Sequence, residues 1–163
     1  MTLTTRRYFF LSVDGVHCRT RECRKNPTSK RPGLAYELGI SIRENRLVWI
    51  NGPFLPSTHD TTIFRKPHGL MSKIPDGKRA IGDSGYNGEP SKVATKNHLD
   101  SEEVAKFKNR VRARHENFNG RIKFDKVLDE RFRHGLDKHK VCFEAVCVLT
   151  QYELGNGNPL MNA

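Results

Sequence analysis

Three acidic residues stand out by their settings. Asp14 closes the apolar run Tyr8 to Val13 and is followed at once by Gly15. Asp83 closes a second run, Lys78 to Asp83, inside Gly82-Asp83-Ser84-Gly85-Tyr86. Glu116 lies in Arg112-Ala113-Arg114-His115-Glu116, a segment that reads as helix. An acid at the carboxyl end of a strand faces the crevice where open α/β sheets bind ligands, and a following glycine lets the chain turn away from it. Carboxylates converging from two strands and a helix make a hard, oxygen-rich site suited to Mg2+ or Mn2+. Two such ions activate a water and steady the leaving oxygen of a phosphodiester. Taken singly, an Asp-Gly is a turn and an acid on a basic helix is a solvated ion pair, so the joint pattern carries the reading.

Other groups gather around these acids. His17 and His59 could hydrogen-bond a phosphate or serve the core alone. Asp60, next to His59, reads as a helix-start residue behind the site, with Asp83 preferred because a strand end is better preorganised than a loop after two prolines. His115 adjoins Glu116 but leaves the helix about 100° away, which argues against a direct role. Cys18, Cys23, Cys142 and Cys147 read as buried free thiols. Cys142 and Cys147 are five positions apart on a helix and point apart, so they do not form a zinc pair.

These residues need a scaffold. Strands are expected at Tyr8–Val13, Leu34–Ile42, Leu47–Ile50, Lys78–Asp83 and Val93–Thr95. A loop covers 17–32. A short helix from Asp60 to Arg65 would be capped by Ser57 or Thr58. A long helix opens at Ser101 and runs to about Val127. A last one covers Asp137 to Leu154, with Val141, Ala145, Val148 and Leu149 as its apolar face. Residues 1–154 read as one domain and 155–163 as a frayed tail. The order gives an α/β fold with a mixed five-stranded sheet, an antiparallel meander followed by parallel strands, flanked by helices.

Composition bounds the partners. The 163 residues carry 29 Lys+Arg against 18 Asp+Glu, a formal charge of +11, with a mean hydropathy of -0.68. No apolar run approaches the ~18 residues of a spanning helix, and no repeat or heptad is sustained. A basic domain of this size points to a polyanion, above all nucleic acid. Lys108, Arg110, Arg112, Arg114, Arg121 and Lys123 flank Glu116 and read as phosphate contacts. The acids Glu102 and Glu103 sit in the first turn and do not neutralise the whole helix. Arg19 to Lys25 reads as a second phosphate-contacting loop.

Four segments occur in a telling order: Val13-Asp14-Gly15-Val16-His17, Ser57-Thr58-His59-Asp60-Thr61-Thr62-Ile63-Phe64, Gly82-Asp83-Ser84-Gly85-Tyr86, and Arg114-His115-Glu116-Asn117-Phe118-Asn119-Gly120-Arg121-Ile122-Lys123. With them the sequence resembles the DDE superfamily endonuclease domain of PIF/Harbinger-type transposases. Asp83 and Glu116 are separated by 32 residues. Arg112-x3-Glu116-x6-Lys123 also fits the signature around the catalytic Glu in related bacterial transposases, with Asn109 where that signature opens with Tyr.

The resemblance implies an RNase H-like fold and Asp14, Asp83 and Glu116 as a catalytic, metal-binding triad. Two divalent cations, Mg2+ or Mn2+, would be the cofactors, and His17 and Asp60 would stand beside them. The reaction it implies is hydrolysis of a DNA phosphodiester followed by transfer of the freed 3′-OH. DNA is the implied partner, with a separate DNA-binding protein supplying site specificity, a homo-oligomer as a further expectation, and the nucleus as the place of action. The competing expectation is a truncated or domesticated copy that binds DNA without cutting it.

Overall fold

The computed structural model of the chain describes residues 8–21 and 33–162. Residues 22–25 of the second expected phosphate-contacting loop, Cys23 among them, lie outside the described residues. The chain begins with strand β1 (Phe9–Arg19), then β2 (Gly33–Ser41), β3 (Leu47–Phe54) and the short helix α1 (Asp60–Phe64). Strands β4 (Arg79–Ile81) and β5 (Val93–Ala94) follow. Helices α2 (Glu102–Phe124), α3 (Lys126–Asp129) and α4 (Leu136–Gly155) complete it. Single 3-10 turns lie at Leu70–Lys73 and Ser84–Tyr86.

The strands form one sheet in the order β3-β2-β1-β4-β5. β1 and β2 pair antiparallel in unbroken register from Leu11↔Ser41 to Arg19↔Gly33. β1 meets β4 in parallel, and β4 meets β5 in parallel. This is the mixed five-stranded sheet with flanking helices expected from the order of elements.

Several boundaries moved, for physical reasons. β1 does not stop at Asp14 but runs on to Arg19. β2 offers a partner at every step, and Val16 and Cys18 bury against the helical layer, so the ladder outlasts the polar residues between them. α1 is preceded by His59, not by Ser57 or Thr58, and no side chain caps it. α2 begins as expected, with Ser101 Oγ accepting from the Val104 N–H at 3.4 Å. It ends at Phe124 because Asp125 adopts an extended conformation and caps α3 instead.

The sheet is buried on both faces. On one side Val16, Cys18, Tyr36, Leu38 and Ile40 pack against Phe118, Ile122, Phe143 and Val146. On the other, Leu11, Val13 and Ala80 pack against Phe64, Leu70, Ile74 and Tyr86. Tyr36 anchors α4: its ring stacks on Phe143 with centroids 3.7 Å apart, and its hydroxyl pairs with His139 Nδ1 at 2.8 Å. That anchor turns α4 away from the expected orientation. The buried stripe is His139, Phe143, Val146, Cys147, Thr150 and Leu154, and Val141, Ala145, Val148 and Leu149 face outward. Within the expected tail, residues 158–160 touch the rest of the fold. Leu160 is buried, its N–H donates to Asn45 Oδ1 at 3.1 Å, and Arg121 donates to the Asn158 and Pro159 carbonyls.

Two cations of the basic helix are structural. Lys108 is 7% exposed and donates to both carboxylate oxygens of Asp100 and to the Thr95 carbonyl. Arg114 is 3% exposed and donates to the carbonyls of Ser41 and Glu44 and to Asn45 Oδ1. Their periodicity on α2 sets them against the sheet and its flanking loops, where a long side chain reaches backbone carbonyls. Arg114→Ala strips donors from those carbonyls and is expected to lower the unfolding free energy by about 2–3 kcal/mol. Urea denaturation measures this; a loss below roughly 0.5 kcal/mol, the level of a surface change, would show that Arg114 does not hold the turn.

Candidate active site

The site arises from unequal strands. β1 has 11 residues and β4 has 3, and their last pair is Ser12↔Ile81. Beyond it β4 peels away while β1 continues beside β2. Asp14 lies two positions past that last pair on β1, and Asp83 two positions past it on the β4 side. The notch between them is a cavity of about 70 Å³ lined by Ser12, Asp14, Ile81, Asp83, Arg112 and Glu116, with His115 at its base. The structure therefore brings Asp14, Asp83 and Glu116 together from two strands and α2, although Asp14 is inside its strand rather than at its end.

Each acid is held differently. Asp14 Oδ1 accepts from the Gly15 N–H at 2.8 Å and Oδ2 from Asn119 Nδ2 at 3.0 Å. Asp83 caps the Ser84–Tyr86 turn, its Oδ1 accepting from the Gly85 N–H at 2.8 Å. Glu116 is exposed on α2. Burial pushes the Asp14 carboxyl up to about 6; the Gly15 N–H opposes this, and Asp83, Asp60 and Glu116 add to it.

Asp60 joins this cluster. A Cβ at Gly15 would stand 3.0 Å from Asp60 Oδ1, and one at Gly85 2.5 Å from Oδ2. Gly15 does not turn the chain, which runs straight through β1; it makes room for the Asp60 carboxylate. Burial and Asp83 raise the Asp60 pKa, while His17 and His59 lower it. Both histidines thus act electrostatically on Asp60.

Two polar rungs join β1 to α2. Ser12 Oγ meets His115 Nδ1 at 2.8 Å, and Asn119 meets Asp14. Two residues along a strand span ~6.7 Å and four along a helix ~6 Å, so both rungs are made in one register only. They fix the height of Glu116 against Asp14. His115 is 2% exposed, and burial with neighbouring Arg114 pushes its pKa down to about 3, so the ring is neutral.

Asn119 and Glu37 were not foreseen as site residues. Asn119 sits one turn from Glu116, and that spacing was its only signal. Glu37, in the middle of β2, is 1% exposed and accepts from Trp49 Nε1 at 2.8 Å. Burial raises its pKa to about 7, with Asp60 contributing. Of the cations, Arg112 lines the notch, Arg110 is exposed, and Lys123 is half-buried two turns past Glu116. Arg121 is taken up by Asn117 and the tail.

The donor set suits a hard divalent cation, because three carboxylates line one notch and Asp60 stands near enough to add, with Asp83 and Glu116, to the raised Asp14 pKa. Among the described residues, no three acidic, His or Cys side chains are close enough to close around one ion. Glu116 is the exposed one of the three acids that line the notch.

A five-stranded sheet in this order, with carboxylates at the notch beside its central strand, defines an RNase H-like nuclease fold. A family model described as DDE superfamily endonuclease matches residues 14–151. The chain belongs to that family, which at the family level is one of nuclease-type hydrolases. No curated protein and no solved structure matches it.

The raised carboxyl of Asp14 fixes a sign. The folded chain keeps this proton over a range, from near 3.8 to about 6, in which the unfolded chain has lost it. Stability without divalent cations should therefore fall as pH rises through that range, by on the order of 2 kcal/mol. Glu37 extends the fall toward 7. Urea unfolding in chelator at pH 4.5 and pH 7 tests this, and Asp14→Asn should flatten the lower part of the profile. A profile unchanged by Asp14→Asn would refute the assignment.

Proposed function

We propose that this chain is the catalytic domain of a metal-dependent DNA endonuclease of the PIF/Harbinger transposase type. Asp14, Asp83 and Glu116 form its triad and hold two divalent cations, Mg2+ or Mn2+, with Asp60 as a fourth carboxylate beside them. The observation that carries this reading is the convergence of the three acids on one notch, with Asp14 pinned at both oxygens.

Bound divalent cations would supply an activated water and neutralise the charge that builds on the leaving 3′-oxygen. The protein's own part is positioning and electrostatics. Asn119 and the Gly15 N–H orient the lone pairs of Asp14. Gly85 does the same for Asp83 and leaves space for Asp60. Arg112, on the wall of the notch, meets the phosphate's negative charge. Arg110 and Lys123 extend that contact along the DNA backbone on either side of Glu116. Lys108 and Arg114 spend their charge inside the protein, so the DNA-facing set is smaller than the run of basic residues suggests.

Plasmid nicking by purified protein in Mg2+ or Mn2+, with chelator as control, tests the reading. Asp83→Asn is expected to reduce nicking to background. The same change relieves repulsion among the carboxylates, so the metal-free protein should be at least as stable as wild type. Nicking that survives Asp83→Asn, or that needs no metal, would overturn the triad.

A further inference from the structure

A second opening lies off the β5 edge of the sheet. It is a cavity of about 380 Å³ walled by Arg79, Asn87, Thr95, Lys96, Asp100 and Lys108. Two connections tie it to the notch. Lys108 on its wall and Arg112 and Glu116 on the wall of the notch recur at every fourth residue of α2, so they stand on successive turns of one helix face. The turn that Asp83 caps, Ser84–Tyr86, leads directly into Asn87. From Lys108 to Glu116 the helix rises ~12 Å, and duplex DNA advances ~3.4 Å per nucleotide along each strand. A strand cut in the notch and lying along α2 reaches the cavity about three or four nucleotides away.

The charge balance of the cavity favours an anion. The acids around it are already paired. Asp100 accepts from Lys108 at 2.8 and 2.9 Å, Asp76 pairs with Lys92 at 2.8 Å, and Glu89 pairs with Arg65. Arg79 and Lys96 have no acidic partner among the described residues. Arg79 is half-buried; it donates to the Val93 carbonyl at 2.9 Å, but its Nε has no acceptor among the described residues. A guanidinium left short of acceptors is costly, and an oxyanion relieves it. Lys96 is exposed, with its charge at the mouth. The one aromatic ring on the described wall, Tyr86, is 1% exposed and offers no face on which a base could stack. The chemistry is that of a phosphate.

We propose that this cavity is a phosphate-binding subsite, in which Arg79 and Lys96 hold a backbone phosphate of the DNA about three or four nucleotides from the one cut in the notch. The proposal rests on the reading of the notch as a DNA-cutting site. Lys108 shapes the subsite: its bonds to Asp100 and to the Thr95 carbonyl cancel that acid and fix the segment that carries Lys96.

Binding of duplex DNA to the full chain, followed by fluorescence anisotropy in chelator over a range of salt, tests this without a cleavage step. Arg79→Gln and Lys96→Gln should each flatten the plot of log affinity against log salt by about 0.9, and equally on unrelated sequences. Arg79→Lys keeps the charge but loses the planar fork, and should weaken binding by ~3–10-fold with little change of slope. Lys138→Gln removes an exposed cation from α4, which packs on β3 at the far edge of the sheet, and should leave the slope unchanged. Lys96→Gln changes an exposed side chain and should melt as wild type does, so its slope decides the matter even if Arg79→Gln fails to fold. A slope unmoved by Lys96→Gln would overturn the proposal, as would equal flattening by Lys138→Gln, which would show diffuse charge and no subsite. Inorganic phosphate that raises the melting temperature of wild type but not of Arg79→Gln, with DNA slopes unmoved, would show a site for free phosphate and overturn the assignment to DNA. Slopes unmoved while nicking still requires Asp83 would remove the subsite alone; slopes flattened while nicking survives Asp83→Asn would remove the triad and leave the subsite.

Discussion

The molecule depends on a difference in strand length. β1 is a full strand, paired on one side from Leu11 to its end by β2, while β4 pairs with its first part only. Where β4 leaves, β1 shows one free edge inside the sheet. Asp14 stands on that edge, Asp83 on the chain that has just departed, and α2 lays Glu116 across the top. A longer β4 would close the notch with ladder hydrogen bonds. A shorter β1 would leave Asp14 in a loop without the fixed backbone that orients it. The two rungs from Ser12 and Asp14 to α2 then carry this geometry from the sheet into the helical layer.

Electrostatics works against stability here. A protein with a strong positive excess gathers four acids around one notch, Asp14 partly buried and Glu116 exposed, and Glu37 is buried near Asp60. Their mutual repulsion and lost hydration are tolerated because apolar packing holds the site from both faces of the sheet. The same crowding makes the notch receptive to cations. Two of the helix's own cations, Lys108 and Arg114, bind protein oxygens away from the acids, which leaves the acidic cluster uncancelled.

Much of this was legible in the sequence. Strand order, the antiparallel start and the parallel finish followed from short apolar runs and their punctuation. The three acids were singled out by their settings, and they line one notch. What escaped was whatever depends on partners across the fold. Asp14 read as a strand end because Gly15 followed it; the glycine answers to Asp60, which arrives at the start of α1. Lys108 and Arg114 look like Arg110 and Arg112 in sequence, and only the carbonyls of Ser41, Glu44 and Thr95 separate them. On α4 both apolar stripes satisfy helical periodicity, and the choice between them rests on Tyr36, about a hundred positions away. Asn119 carries no charge, so its hold on Asp14 left no trace beyond its spacing from Glu116.

The edges of the sheet have a consequence for the handling of the protein. β5 is two residues long, too short to template another strand. At the opposite edge β3 carries Gly52-Pro53 just before its last residue, Phe54, and proline offers no N–H for pairing. The Leu47 N–H on that strand is already taken by Gln151 of α4. Both borders are therefore blunted against growth of fibrils through main-chain hydrogen bonds. Concentrated solutions should favour discrete, reversible particles, which makes the chain a reasonable subject for crystallisation despite its exposed leucine, valines and tyrosine.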